Sequence, residues 1–315
     1  MGAMASPRGA ELGDFLRTRR ARINPAQVGL PGTRRRRVAG LRREELAHLA
    51  GVSANYYARL EQGTQETASP AVLDAVAAAL QLSAAERAHL YDLAYVVDRK
   101  ALTGSTADAV AVRAPSEERR GRADDAPGGS PGGKPCSGTT AALPSTVRAM
   151  FNALGTTPAF ACDCFADVAT VNRAARFLYA DFDALPARDR NMAVWMLTDP
   201  RARSLYGPAW EEVATTMIGA LRREAGRQPG HPRVAELVRR LSDDSALFRN
   251  AWPRHDIGTC ARMINRLYHP AGTLEFVSDV VTADSDKGIM FALLIPLDPT
   301  AFAALLDRHT RPELD

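Results

Sequence analysis

A chain of 315 residues, 46% of them hydrophobic and with a formal net charge of +4, has the material for two ordinary domains, each with its own core. No apolar run approaches the roughly 20 residues of a bilayer span, and no apolar signal core follows the first charges, so a cytoplasmic chain with no membrane contact is expected. Cys136, Cys162, Cys164 and Cys260 are too few and too scattered for a disulfide scaffold, and with no C-x-x-C or close His pair no metal or other cofactor is expected.

Residues 1–9 are small and polar and are expected to be a disordered start. A helix is expected over 11–23, where Leu12, Phe15 and Leu16 make an apolar stripe beside Arg19 and Arg20. Residues 24–33 form a loop that runs into Arg34, Arg35, Arg36 and Arg37. Four consecutive arginines resist burial, and beside the next motif they are assigned to phosphates or a minor groove rather than to solvent alone.

That motif is 41–63, LRREELAHLAGVSANYYARLEQG. Leu46, Ala47, Leu49 and Ala50 fit one buried stripe of a first helix; Gly51 ends it, and Val52 plugs the angle that follows. Ser53 then caps a second helix, with Tyr57 and Leu60 turned inward. Small Ala47, glycine four residues on and an apolar plug are the packing demands of a helix-turn-helix. Ser69-Pro70 starts a helix over 71–80, and the capping box of Ser83 and Glu86 starts another over 84–97, giving five helices in the first 98 residues.

Residues 102–143 are rich in Gly, Pro, Ser and mixed charge and read as a flexible linker. Beyond Pro144 a helix is expected over 146–154, then strands over 160–165 and 168–171, with Cys162 and Cys164 on one strand face with Phe160. Helical spacing follows over 172–182, 186–197 and 200–206, then in the stripes Trp210, Val213, Ala214, Met217, Leu221 and Val234, Leu237, Val238, Leu241. Strands over 263–268, 274–282 and 289–295 and a helix over 300–309 complete an α+β domain with helices over one face of a sheet.

Residues 34–63, with SPAVLDAVAAALQLSAAERAHLYDLA, resemble the N-terminal domain of the MmyB-like branch of the XRE-type helix-turn-helix transcriptional regulators. VNRAARFLYADFDALPARDRN, LTDPRARSLY, FRNAWPRHDI and LYHPAGTLEF resemble that branch's C-terminal ligand-binding domain, a PAS-like fold. The chain departs from the pattern at Thr170-Val171, where a tryptophan is expected before Asn172, and in Cys162 and Cys164. The resemblance implies an all-α helix-turn-helix domain of five helices over 10–98, a linker over 99–143 and an α+β PAS-like domain over 144–311.

It further implies a transcriptional regulator, not an enzyme, whose second helix presents its N-terminal end to base edges in the major groove of double-stranded DNA. Ala54, Asn55 and Arg59 are the candidates for base contacts; Ser53, Tyr56, Arg42 and Arg43 are assigned to phosphates. Glu61 is expected to pair with Arg20 rather than approach DNA. A homodimer reading two half-sites is expected. Phe160, Trp195, Trp252, Phe276 and Phe291 are candidates to line a pocket for a small apolar ligand, fatty-acid-like by the resemblance, although aromatic residues at such spacings also build plain cores. The alternative is a C-terminal module for a protein partner or for dimerisation, with no metabolite. An enzyme tethered to DNA ranks last, since no Gly-rich phosphate loop, metal triad or G-x-S-x-G elbow is present.

Overall fold

The computed structural model describes residues 6–30, 40–65, 68–95, 145–258, 263–282 and 289–310. Arg34, Arg35, Arg36 and Arg37, the expected linker, Cys136 and Cys260 lie outside the described residues.

Five helices build the N-terminal region: α1 (Pro7–Arg22), α2 (Arg43–Leu49), α3 (Ala54–Glu61), α4 (Pro70–Ala79) and α5 (Ala84–Ala94). α1 begins four residues before the expected start, because Ser6 accepts a hydrogen bond from the Gly9 amide and Pro7 supplies a helical φ. The same Ser-Pro pair, Ser69-Pro70, caps α4. Leu12, Phe15, Leu16, Leu41, Leu46, Tyr57, Leu60, Leu73, Val76 and Leu90 form the buried core. Leu49 does not join it and is 37% exposed. At about 100° per residue, Leu46, Ala47 and Ala50 share a face from which Leu49 is turned well away.

The C-terminal region opens with α6 (Ser145–Ala153) and holds one antiparallel sheet of β1 (Ala159–Cys162), β2 (Val168–Val171), β3 (Met263–His269), β4 (Gly272–Thr282) and β5 (Met290–Pro296), in the order β2-β1-β5-β4-β3. Between β2 and β3 come α7 (Arg173–Leu178), α8 (Met192–Thr198), α9 (Pro200–Tyr206), α10 (Trp210–Arg227), α11 (Pro232–Asp244) and α12 (Ala246–Ala251), and α13 (Pro299–Thr310) closes the chain. This is the α+β architecture expected.

Three local expectations are corrected. The helix over 186–197 is split into a 3-10 turn at Ala187–Asp189 and α8, because Asn191 caps α8. Its buried side chain accepts from the Val194 amide and donates to the Phe165 carbonyl and Asp167. The first strand stops at Cys162, since Asp163 accepts from the amides of Phe165 and Asp167 and turns the chain. Cys164 therefore leaves the strand face that was expected to carry it with Phe160 and Cys162. α12, with Ser245 as its cap, is an additional helix that the apolar stripes did not reveal.

Strand alternation sorts the sheet into two faces. Phe160, Phe276, Leu267 and Leu294 point into the main core with Trp195, Phe182, Phe248 and Phe302. Ala159, Ala161 and Phe291 point the other way, where α6 covers them with Phe151.

Candidate nucleic-acid interface

α2 and α3 meet at Gly51, whose φ of +65° is a left-handed conformation that glycine adopts without side-chain strain. The Val52 amide returns to the Ala47 carbonyl at 3.0 Å, and the Val52 side chain packs on the core, closing the turn as expected. Ser53 Oγ accepts from the Tyr56 amide at 3.1 Å and fixes the first turn of α3. The inner face of α3 buries Tyr57, Leu60 and Glu61; the outer face leaves Ser53, Ala54, Asn55 and Arg59 exposed, with Tyr56 half-buried at its side. The side chains expected to meet bases thus share one free surface.

The inner face is fixed by charge. Glu61, with no solvent exposure, takes a bidentate pair from Arg20 at 2.8 and 2.9 Å, while Arg43 reaches it at 2.9 Å. Burial alone would push the Glu61 carboxyl up, but the guanidinium groups of Arg20 and then Arg43 outweigh it and hold it below the ordinary carboxylate range. The Arg20–Glu61 pair is the one expected from sequence. Arg43, expected on a phosphate, commits Nε and Nη2 to Glu61, although its side chain is 45% exposed. Arg42 is exposed, and its amide donates to Glu45 at 2.8 Å.

Adjacent residues on α1, about 100° apart around the helix, reach different partners. Arg20 holds α3, whereas Arg19 donates to the His255 carbonyl at 2.5 Å and pairs with Glu86 of α5 at 2.6 Å. Around Arg19 the helical region docks on α10 and the segment after α12. Arg222 of α10 reaches Glu11 at 3.1 Å and lies 3.7 Å over the Trp252 ring; Arg227 pairs with Asp92 at 2.8 Å; Ile257 packs against the helical core. Gly226 permits the close approach, as a Cβ there would stand 2.4 Å from Cε1 of His89. No local pattern in the sequence announces this seam, apart from Arg222 interrupting the apolar face of α10 that carries Ala214, Ile218, Leu221 and Ala225.

Arg222 is 3% exposed, so Arg222→Ala removes stacking on Trp252 and the link to Glu11 together. We expect a loss of about 2–3 kcal/mol. Calorimetry should show one unfolding transition for the wild type and two for the variant.

The five candidate pocket residues are not brought together. Phe160, Trp195 and Phe276 share the main core, and Tyr179 joins them at 6.0 Å from Phe160 and 5.4 Å from Trp195 between ring centroids. Trp252 stacks on Phe248 at the seam. Phe291 lies on the opposite sheet face under Phe151, because odd positions of β5 point away from the core. Within the main core the Tyr179 and Tyr206 hydroxyls meet at 3.2 Å, and Nε1 of buried Trp195 has no protein acceptor among the described residues.

Among the described residues no group of three or more His, Cys, Asp or Glu is placed to hold a metal, and no helix is long and apolar enough to cross a membrane. No curated protein matches the chain. Residues 11–90 match the family model of a helix-turn-helix domain, and residues 143–307, more than half of the chain, match that of the MmyB-like transcription regulator ligand binding domain. With a helix-turn-helix match in front and the ligand-binding-domain match over more than half of its length, the chain belongs to the MmyB-like transcription regulators.

Proposed function

We propose that this regulator reads a specific operator with α3 and changes its grip on DNA when the sheet domain takes up a small, apolar, fatty-acid-like molecule. The observation that carries the DNA half is the division of α3 into an anchored inner face, Tyr57, Leu60 and Glu61, and an exposed outer face, Ala54, Asn55 and Arg59. On that face Asn55 pairs with adenine, Arg59 with guanine, and Ala54 meets a thymine methyl. Ser53, Tyr56, Arg42 and the free edge of Arg43 take phosphates, as do Arg34, Arg35, Arg36 and Arg37. The domains are taken as 10–98 and 144–311, with an XRE-type helix-turn-helix in the first and a PAS-like sheet in the second. One such helix covers few base pairs, so a homodimer reads two half-sites about 34 Å apart or a multiple of it.

The ligand half is supported by the aromatic core with polar tips inside it. The Trp195 N–H is a buried donor without an acceptor among the described residues, and such a donor costs about 1–3 kcal/mol unless something accepts its proton. A carboxyl or carbonyl head beside Trp195, Tyr179 and Tyr206, with its chain among Phe160 and Phe276, meets that need. Binding alters DNA affinity only through different affinities for two protein states. The seam around Arg19, Arg222 and Trp252 is the route we assign to that difference.

Two experiments test these halves. Arg59→Ala should lose discrimination at one base position, by about 1–3 kcal/mol, in a binding selection on random duplexes; an unchanged site preference would count against α3 as the reader. Native mass spectrometry of protein from its source should find a retained small molecule. A bare mass, with a thermal melt unmoved by long-chain fatty acids, would favour the second reading, a sheet domain that serves a protein partner or the dimer alone.

A further inference from the structure

Among the described residues seven large hydrophobic side chains are exposed, and five of them, Ile264, Tyr268, Val281, Ile295 and Leu297, belong to β3, β4, β5 and the residue after β5. The register puts Ile264 opposite Val277 and Val277 opposite Ile295, one apolar row across three strands. That row lies on the sheet face away from the main core. Among the described residues α6 covers its β1–β5 side, through Phe151 on Phe291, Ala159 and Ala161, and Gly207 lies against the Tyr268 ring at the β3 edge, while Ile264, Val281, Ile295 and Leu297 stay exposed. An antiparallel sheet that turns one face to water normally makes that face polar. Here Ile264 is 71% exposed.

We propose that this uncovered face is where a second copy of the chain docks, giving the dimer that the DNA reading above requires; the inference rests on that reading. The occupant is chosen by charge. Beside the apolar row, Arg266 stands directly opposite Glu275, and the two pair at 2.7 Å while remaining exposed. A two-fold interface uses the same patch twice, so the patch must complement itself. An axis running along the strands between β3 and β4 satisfies this. It sets Arg266 against the partner's Glu275, and Ile264 against the partner's Val277. An axis along β4 itself would oppose two Glu275 carboxylates and is disfavoured. Sheets packed face to face with strands nearly aligned are a common arrangement.

Sedimentation of the full chain tests the proposal. The wild type should be dimeric at 10 µM. Arg266→Glu or Glu275→Arg should each weaken the dimer about 100-fold, and the double exchange should restore it. Ile264→Asp, at a position already in solvent, should give a folded monomer, checked by its thermal melt. A monomeric wild type at 100 µM would overturn the proposal, as would dimers that survive all three single changes. Binding to a duplex with one half-site separates the two readings. Folded monomeric variants that still bind it leave α3 as the reader whatever the fate of the dimer surface; wild type that fails on any duplex sinks the DNA reading instead.

Discussion

Glu61→Ala should cost about 3–5 kcal/mol and unfold the helix-turn-helix at moderate denaturant, the loss that follows when one member of a buried ion pair is removed. The reason lies in what remains. Arg20 is 8% exposed, and besides Glu61 it has the Leu41 carbonyl at 2.6 Å. Without the carboxylate its guanidinium is a buried charge facing a hole, and Arg43 loses its partner as well. Because the folded-state pKa of Glu61 is depressed, its stabilisation is present above the unfolded-state value and is lost as pH falls through the folded one. Denaturant titration followed by tyrosine fluorescence should show the loss. A variant as stable as wild type would mean that the pair orients α3 without holding it.

The second large effect is acid sensitivity of the seam. His89, 1% exposed, and His255, 7% exposed, are both held down to a pKa of about 3. In each case burial is the first cause and the Arg222 charge a further one. His89 also faces His255, Arg227 and Arg19; His255 faces Arg19 and Arg22, with Asp256 acting in the opposite sense. Unfolding frees both rings to take protons near pH 6.5. The fold therefore keeps their stabilisation above about pH 6.5 and loses it down to about pH 3, at about 1.4 kcal/mol per pH unit for each ring. Stability measured from pH 7 to 5 should fall accordingly. His89→Phe, which keeps an aromatic ring near Phe15, should remove about one proton from the slope. A slope identical to wild type would place the neutral rings elsewhere.

Much of this architecture is local and was therefore legible in the sequence. Ser53, Gly51, Ser69-Pro70 and the Ser83–Glu86 box act within four residues of themselves, so helix starts and stops follow from residue type. The Arg20–Glu61 pair was also within reach, since an acid on the inner face of α3 needs a cation and α1 offers one. Tertiary alignments were not legible. Whether Phe291 joins Phe160 depends on the register between β1 and β5, and a shift of one residue reverses the answer. Asn191 reads as an ordinary polar residue until the turn held by Asp163 brings Phe165 and Asp167 to it. The seam is harder still, because Arg19 and Arg222 look like solvated charges until α1 and α10 are set side by side.

In the proposed reading the coupling is mechanical. α1 holds α3 with Arg20 and the segment after α12 with Arg19, so a ligand that shifted α10 or Trp252 would act on α3 through α1. The proposed dimer face lies on the other side of the sheet from the main core, so the proposed ligand and the proposed partner copy would use different surfaces.

Capture of fragmented genomic DNA by the purified full chain at low salt is the most direct trial of the whole account. Enrichment of a few sites sharing a motif is expected, with loss of that motif when Asn55 and Arg59 are both changed to alanine while the fold is kept. Capture of no fragment, or the same motif recovered by the double variant, would contradict it.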